Sequence, residues 1–278
     1  MIEIPENRTI SRQAESILPG RKIVKVLNAT GKHKFAFFNG DPATYPGVLT
    51  GKKIISSRGH GMFVDLCLED DMFLTISDGT IMRHYGPGEA YPEKYQLLIL
   101  LDDGSFLVFT VAMYGGIWAF RKEMTTEAWK KYYEGSLNSI SPLDDRFNEG
   151  LFESIIGNTT KDLSAKALLA TEQRIPGLGN GVLQDILFNA GIHPKRKKST
   201  LKDFELGELF HSLKVTLNKM TDSGGRDTEK DFFGKNGGYK TILSKNTLND
   251  PCPNCGGPIK KEAYMGGAIY YCPVCQKN

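Results

Sequence analysis

The sequence predicts an α+β, multidomain protein: an N-terminal helix plus a β-sandwich, then a helical domain, then a C-terminal four-cysteine zinc finger. Three observations predict it. An amphipathic helical stretch opens the chain. From about residue 21 to 125 short β-branched and aromatic runs alternate with turn residues, and helical texture returns after that. Four of the five cysteines fall after residue 251, as two C-x-x-C pairs.

The opening stretch, "ENRTISRQAESIL" (6–18), puts Ile10, Ala14, Ile17 and Leu18 on one helical face, and Pro19-Gly20 stops it. The runs "KIVKVLNATGKHKFAFFNGD", "GMFVDLCLEDDMFLTISDGT" and "YQLLILLDDGSFLVFTV" follow. In the last of these a D-G turn separates two apolar runs, which is a hairpin signature. Several strands at this spacing predict a sandwich or flattened barrel. The stretches "TTEAWKKYYEG", "DRFNEGLFESIIG", "SAKALLATE", "GVLQDILFNAG" and "LGELFHSLKVTLNKMTDS" read as helices. The Pro, Ser, Asn and acidic residues of "SLNSISPLDD" (136–145) mark the domain boundary.

In the tail, Cys252-x-x-Cys255 and Cys272-x-x-Cys275 are separated by 16 residues. Each pair wraps a tight turn around one tetrahedral ion, and a hairpin between them brings the pairs together. Gly256-Gly257 supplies the first reversal and "AIYYC" a strand into the second pair. Two disulfides are the alternative, and they suit a secreted chain better than one opening "MIEIPENRTI", which lacks a secretory signal. Four thiolates close the coordination sphere. The expected cofactor is therefore one structural Zn2+, holding a hairpin too small to fold alone.

The net charge of +3 permits a nucleic-acid partner without requiring one. Basic density lies in the C-terminal half, in "HPKRKKSTLK" (193–202) and "KNGGYKTILSK" (235–245). The run "PKRKK" is either a solvated face or a contact to a phosphate backbone. The longest apolar runs are too short to span a bilayer, so no membrane association is expected and the expected location is cytoplasmic.

The segment "LATEQRIPGLGNGVLQDILFNAGIHPKR" (169–196) reads as helix, Gly-rich turn, helix; taken alone, its glycines suit the packing of any such turn better than a site, though a helix start of this kind also suits a phosphate. Together with the cysteine tail, "MIEIPE" at the start, "AGIHP" and "CPVCQK", it resembles the formamidopyrimidine-DNA glycosylase/endonuclease VIII family over nearly the whole chain. The resemblance implies a catalytic-like helix and β-sandwich domain over 1–130, a helix–two-turn–helix DNA-binding domain over 140–225, and a loop with the zinc-finger hairpin over 226–278. It implies a monomer, nucleoid-associated, that acts on damaged or abasic double-stranded DNA.

In that family a proline exposed by removal of the initiator Met attacks C1′ of the damaged nucleotide. A neighbouring glutamate works as acid and base, a second glutamate shapes the site, a β-hairpin lysine binds flanking phosphates, and a finger arginine grips a phosphate beside the lesion. Here position 2 is Ile2, while Glu3, Pro5 and Glu6 remain. In "SSRGHGMF" His60 takes the place of the lysine, beside Arg58, and the finger arginine falls at or beside Gly267. The void-filling residues expected in "VAMYGGIW" and "ISDGTI" are missing, and Asp185 replaces an expected glutamate. Asn180 at the turn, Lys166 on the preceding helix and the four cysteines remain.

The bulk of Ile2 should leave Met1 in place. The Met1 α-amine, with a reference pKa of about 7.7–8.0, is a nucleophile near neutral pH, though displaced from the position of the proline. Glu3 has the alternative of activating water, which gives a glycosylase with weak or absent lyase action. The candidate catalytic residues are thus Met1, Glu3, Glu6 and His60. Glu3 and Glu6 also suit a helix start without any chemistry. The candidate DNA-binding residues are Arg58, Lys166 and Asn180, with Arg226, Lys235 and Tyr239 of "GGRDTEKDFFGKNGGYK" (224–240). Two further readings stand beside the enzyme. One is a catalytically inactive paralogue that binds damaged DNA; the other is a zinc-ribbon protein of transcription or RNA metabolism, which accounts for the tail alone.

Overall fold

In a computed structural model of the chain, residues 2–123 and 127–277 are described. Two compact units account for the fold. The first comprises residues 1–137 and 229–236, and the second comprises 138–228 and 237–278.

The first unit opens with helix α1, Ile4–Ile17. It begins two residues before the predicted helix, because Glu3 caps it. The Glu3 backbone N–H donates to Glu6 Oε2 at 3.3 Å, and the Glu3 side chain takes the return bond. Pro5 in the first turn loses nothing, since its missing N–H would have no intrahelical acceptor there. Ile10, Ala14 and Leu18 are buried, and Ile17 is partly buried against them.

Nine strands follow, interrupted by one short helix: β1 (Ile23–Asn28), β2 (Ala36–Phe38), α2 (Tyr45–Leu49), β3 (Ile54–His60), β4 (Phe63–Leu68), β5 (Met72–Ile76), β6 (Thr80–Tyr85), β7 (Leu97–Leu101), β8 (Phe106–Val111) and β9 (Gly115–Arg121). They form a four-stranded sheet in the order β1-β7-β8-β6 and a five-stranded sheet in the order β2-β9-β5-β4-β3. Neighbours pair antiparallel except β2 and β9, which are parallel. Val26, Ile99, Leu107 and Phe109 from one sheet share a core with Val64, Leu66, Leu74, Ile76 and Ile117 from the other, so the two are layers of a sandwich. The D-G turn joins β7 to β8, with Gly104 at φ +82°. Helix α3 (Glu127–Leu137) completes this stretch of chain, packing Tyr133 against Phe63, Trp118 and Phe120.

Residues 229–236 return to the same unit. Phe232 is fully buried in the sandwich core. Its carbonyl accepts from His84 N–H at 3.0 Å and its N–H donates to Gln13 Oε1 at 3.0 Å, while Gln13 Nε2 donates to Asp231 Oδ2 at 2.8 Å.

The second unit holds α4 (Glu149–Gly157), α5 (Ala165–Ala170), α6 (Asn180–Asn189) and α7 (Asp203–Asp222), then a two-stranded hairpin, β10 (Lys260–Tyr264) and β11 (Gly267–Tyr271). Asn148 and Ser164 cap α4 and α5 with their side chains. Ser212 of α7 donates to the Ile186 carbonyl of α6 at 2.7 Å, and Val182, Leu183, Ile186 and Leu187 make α6 a buried helix. No described helix is long and apolar enough to cross a membrane.

Candidate functional site

The chain start is held inward. Ile2 is 4% exposed and belongs to the sandwich core, and Glu3 is 2% exposed at the cap of α1, with Glu6 buried one turn on. Met1 lies outside the described residues. Burial of an isoleucine side chain stabilises by roughly 1.5–3 kcal/mol. At position 2 the side chain therefore has a packing role.

Asp78, in the turn between β5 and β6, faces this cap electrostatically. Burial pushes its carboxyl up to about 6, and the charge of Glu3 adds to the effect. Its Oδ1 is buried without a hydrogen-bond partner among the described residues. The turn has no slack. A Cβ at Gly79, whose φ is +83°, would lie 1.6 Å from the Tyr114 carbonyl oxygen. A buried carboxylate with an unused oxygen beside a second carboxylate is a common signature of acid–base sites.

The β3–β4 hairpin is tied to α1 through Asn7, which donates to the Gly61 carbonyl at 3.1 Å and to that of Phe63 at 2.5 Å. A Cβ at Gly59 would collide with Asn7 and Ser11 of α1. Side chains alternate along a strand, so the neighbours of Gly59 face the other side of the sheet. There Arg58 and His60 meet Asp65. Arg58 Nε donates to Asp65 Oδ2 at 2.9 Å, and His60 Nε2 lies 3.2 Å from the same oxygen. Thr75 and Tyr133 donate to Asp65 at 2.6 and 2.8 Å, and His60 Nδ1 lies 2.6 Å from Ser136 Oγ. Burial works to raise the Asp65 carboxyl. The bond and charge of His60, the Thr75 hydroxyl and the Arg58 guanidinium outweigh it and hold the group below the usual carboxylate range. The structure thus gathers Glu3 with Glu6 at the α1 cap and Arg58 with His60 at Asp65, on opposite faces of the sheet.

In the second unit, α5, α6 and the hairpin bring three predicted positions together. Lys166 is 3% exposed, and its ammonium donates to the Tyr264 carbonyl at 2.6 Å. Asn180 Nδ2 donates to the Ala268 carbonyl at 2.9 Å. A Cβ placed on Gly267 would lie 3.5 Å from both nitrogens. Lys166 makes no ion pair among the described residues, and burial lowers its pKa. Among the described residues no carboxylate bonds either nitrogen, so the cluster offers its donors to an anion. Gln184 locks α6 onto β11, accepting from Tyr270 N–H at 3.0 Å.

Two of the remaining predicted contacts face inward. Arg226 is buried, and the Tyr239 phenol is pushed up by burial and by Asp185. Asp185, itself raised to about 6 by burial, accepts from Ile242 and Leu243 N–H at 2.9 and 2.8 Å. This fixes the loop ahead of the finger. Lys235 is exposed and sits on the returning segment of the first unit, its N–H donating to Asp231.

The four tail cysteines converge, with all four Sγ atoms within 4.8 Å of one another. The Cys252–Cys275 and Cys255–Cys272 pairs are 3.8 and 3.5 Å apart. Metal–sulfur bonds of about 2.3 Å in a tetrahedron require edges of about 3.8 Å, so the cluster fits a metal ion with four thiolate ligands. Gly256, at φ +72°, makes the predicted reversal, and Cys252 and Cys272 pack against Phe188, Leu243 and Ile259.

Sequence reasoning does not single out Asp65 or Asp78. Asp65 stands in an unremarkable apolar run, and only its buried partners reveal it. Asp78 precedes a glycine, a pairing common to ordinary turns.

No family model matches the chain. Among curated proteins it is similar to formamidopyrimidine-DNA glycosylases. That of Heliobacterium modesticaldum is 29% identical over 287 residues, spanning all of both chains. That of Pelotomaculum thermopropionicum is 27% identical over 286 residues, spanning all of this chain and 99% of the relative. Among solved structures, a complex of the Lactococcus lactis Fpg with DNA containing an abasic site superposes with a TM-score of 0.82 at 23% identity. It covers 99% of this chain and 100% of that one. MutM (Fpg) from Thermus thermophilus gives 0.79 at 22%, covering 99% and 98%. These structural likenesses show a shared fold.

Proposed function

We propose that this chain, similar over its whole length to formamidopyrimidine-DNA glycosylases, is a DNA-repair protein of that family that binds damaged or abasic double-stranded DNA and releases damaged bases by hydrolysis. The observation that carries the binding half is the donor cluster of Lys166 and Asn180 beside Gly267. A buried ammonium with no acidic partner among the described residues is costly unless an anion completes it, and a backbone phosphate is such an anion. The finger hairpin supplies one wall of that cluster. The four thiolates would hold a zinc ion there, closed to substrate, and its role would be to keep the hairpin folded.

The chemical half rests on Glu3. With Met1 left in place, the nitrogen of Ile2 is a peptide amide and not an amine, so the family's attacking group is absent from position 2. Glu3 instead takes a proton from water as the water oxygen bonds to C1′. The bond from C1′ to the base nitrogen breaks, its electron pair leaves with the base, and the base takes up a proton from solvent. No Schiff base forms on this route, so strand cleavage by elimination is weak or absent. A second reading, a binder without chemistry, is favoured by one observation: the cap of α1 already gives Glu3 and Glu6 a structural task.

Single-turnover release of base from a Fapy-dG duplex, read beside binding to an abasic duplex, separates the two. Glu3→Gln should abolish release and leave binding within a few-fold. Equal release by Glu3→Gln would remove Glu3 from the mechanism. No release by the unaltered protein, with abasic binding intact, would leave the binder. A borohydride-trapped adduct at the amino terminus would restore amine chemistry.

A further inference from the structure

A groove in the first unit, lined by none of the candidate site residues described above, has the makings of a second binding site. It lies where the loop after β1, "NATGKHK" (28–34), faces the turn after β2, and it encloses a cavity of about 530 Å3. That size is in the range of small-ligand sites, which run from roughly 300 to 1,000 Å3.

Its lining has two characters. Ala29, Phe38, Pro42 and Ala43 contribute apolar surface, and the Phe38 ring is set edge-on against Tyr45 at 5.8 Å. Lys32, His33 and Lys34 contribute basic groups along one wall. Asp41 is the acidic member of the lining, and its carboxylate is engaged, accepting from Ala43 N–H at 2.9 Å. His33 Nδ1 accepts from Phe35 N–H at 3.3 Å, which leaves the proton of the neutral ring on Nε2 as a donor.

The basic wall is braced. Thr30 N–H donates to the Tyr95 carbonyl at 3.1 Å and Tyr95 N–H donates to Thr30 Oγ1 at 3.2 Å, while Gln96 Nε2 reaches the Gly31 carbonyl at 3.5 Å. A braced concavity with an apolar floor and a cationic rim selects a ligand that is flat and apolar at one end and anionic at the other. A phosphate backbone alone would need the rim and not the floor.

We propose that this groove binds a mononucleotide-class ligand, its ring on the surface formed by Phe38, Pro42 and Ala43 and its phosphate against Lys32, His33 and Lys34. The inference stands independently of the function proposed above.

The test uses the full chain and four probes, dGMP, deoxyguanosine, inorganic phosphate and an abasic duplex, titrated by calorimetry. Two variants accompany the parent: Lys32→Ala/Lys34→Ala, which strips the rim, and Ala43→Trp, which fills the groove without changing charge. All three positions are exposed, so folding should be undisturbed. The expected result is dGMP binding with Kd below about 1 mM, at least tenfold tighter than either fragment, and at least tenfold weaker in both variants. Absence of dGMP binding overturns the proposal, and so does binding that neither variant weakens. If duplex affinity falls in the rim variant while dGMP binds none of the proteins, the lysines grip a strand backbone and the mononucleotide site is rejected.

Discussion

Asp78 carries a charge that its surroundings resist. Its carboxyl is raised from the ordinary value of 3.8 to about 6 by burial and by Glu3, so the folded chain holds this proton more tightly than the unfolded chain does. The ionised group therefore costs stability above pH 6, and the cost is relieved as the pH falls from about 6 to 4. A rise of that size corresponds to about 3 kcal/mol. Asp78→Asn should stabilise the protein at pH 8 by up to that amount and flatten the pH dependence between 4 and 6, read from urea midpoints at each pH. A variant no more stable than the parent at pH 8 would mean that the charge is already compensated. Legibility at this scale divides by range. The Glu3, Pro5 and Glu6 pattern declares a helix start because its partners lie within one turn. Asp78 and Asp65 depend on residues brought in by sheet pairing, and nothing local marks them.

At the scale of elements, the hairpin β10–β11 and the segment 229–236 make opposite cases. The hairpin was legible as such, since cysteine spacing, paired glycines and a short strand all lie within one stretch of chain, while the bounds of its first strand, β10, were not. Removing the metal should melt it. Chelation, or Cys252→Ser, should lose one zinc per chain, remove the hairpin's amide protection and weaken binding to abasic DNA together. Undiminished affinity in zinc-free protein would detach the hairpin from binding. The segment 229–236 lies within the stretch 224–240, which in sequence reads equally as a mobile surface loop or as a loop with DNA contacts through Arg226, Lys235 and Tyr239. In the structure Phe232 is buried in the sandwich core and Gln13 bonds both Asp231 and the Phe232 backbone. The core it enters is sealed by residues more than a hundred positions away, and no periodicity reports that. Phe232→Ala should cost about 3–5 kcal/mol in chemical denaturation; a loss below about 1 kcal/mol would mean that the core closes without it.

Over the whole molecule, the order of helix, sandwich, helices and finger was readable from texture. The pairing order was not. The separation of β6 from β5 into different sheets, and the parallel pairing of β2 with β9, follow from which apolar faces meet. The proposed DNA binding belongs to this scale as well, since on that reading it sums many weak charge contacts over a chain of net charge +3. The logarithm of the affinity for an abasic duplex should fall linearly with the logarithm of salt concentration, and Lys166→Ala should lessen the slope by about one. An unchanged slope would take Lys166 out of contact with phosphate.

The return of residues 229–236 to the first unit carries a consequence for how this protein can be divided or inherited. The chain passes between the units at 137/138, 228/229 and 236/237. A gene fragment that stops at residue 137 encodes every strand of the sandwich and still leaves out the aromatic ring that plugs it. Such a fragment begins life with a vacancy the size of a phenylalanine side chain. The sandwich is therefore not a portable cassette, and recombination that shuffled it at the obvious boundary would be punished in both products.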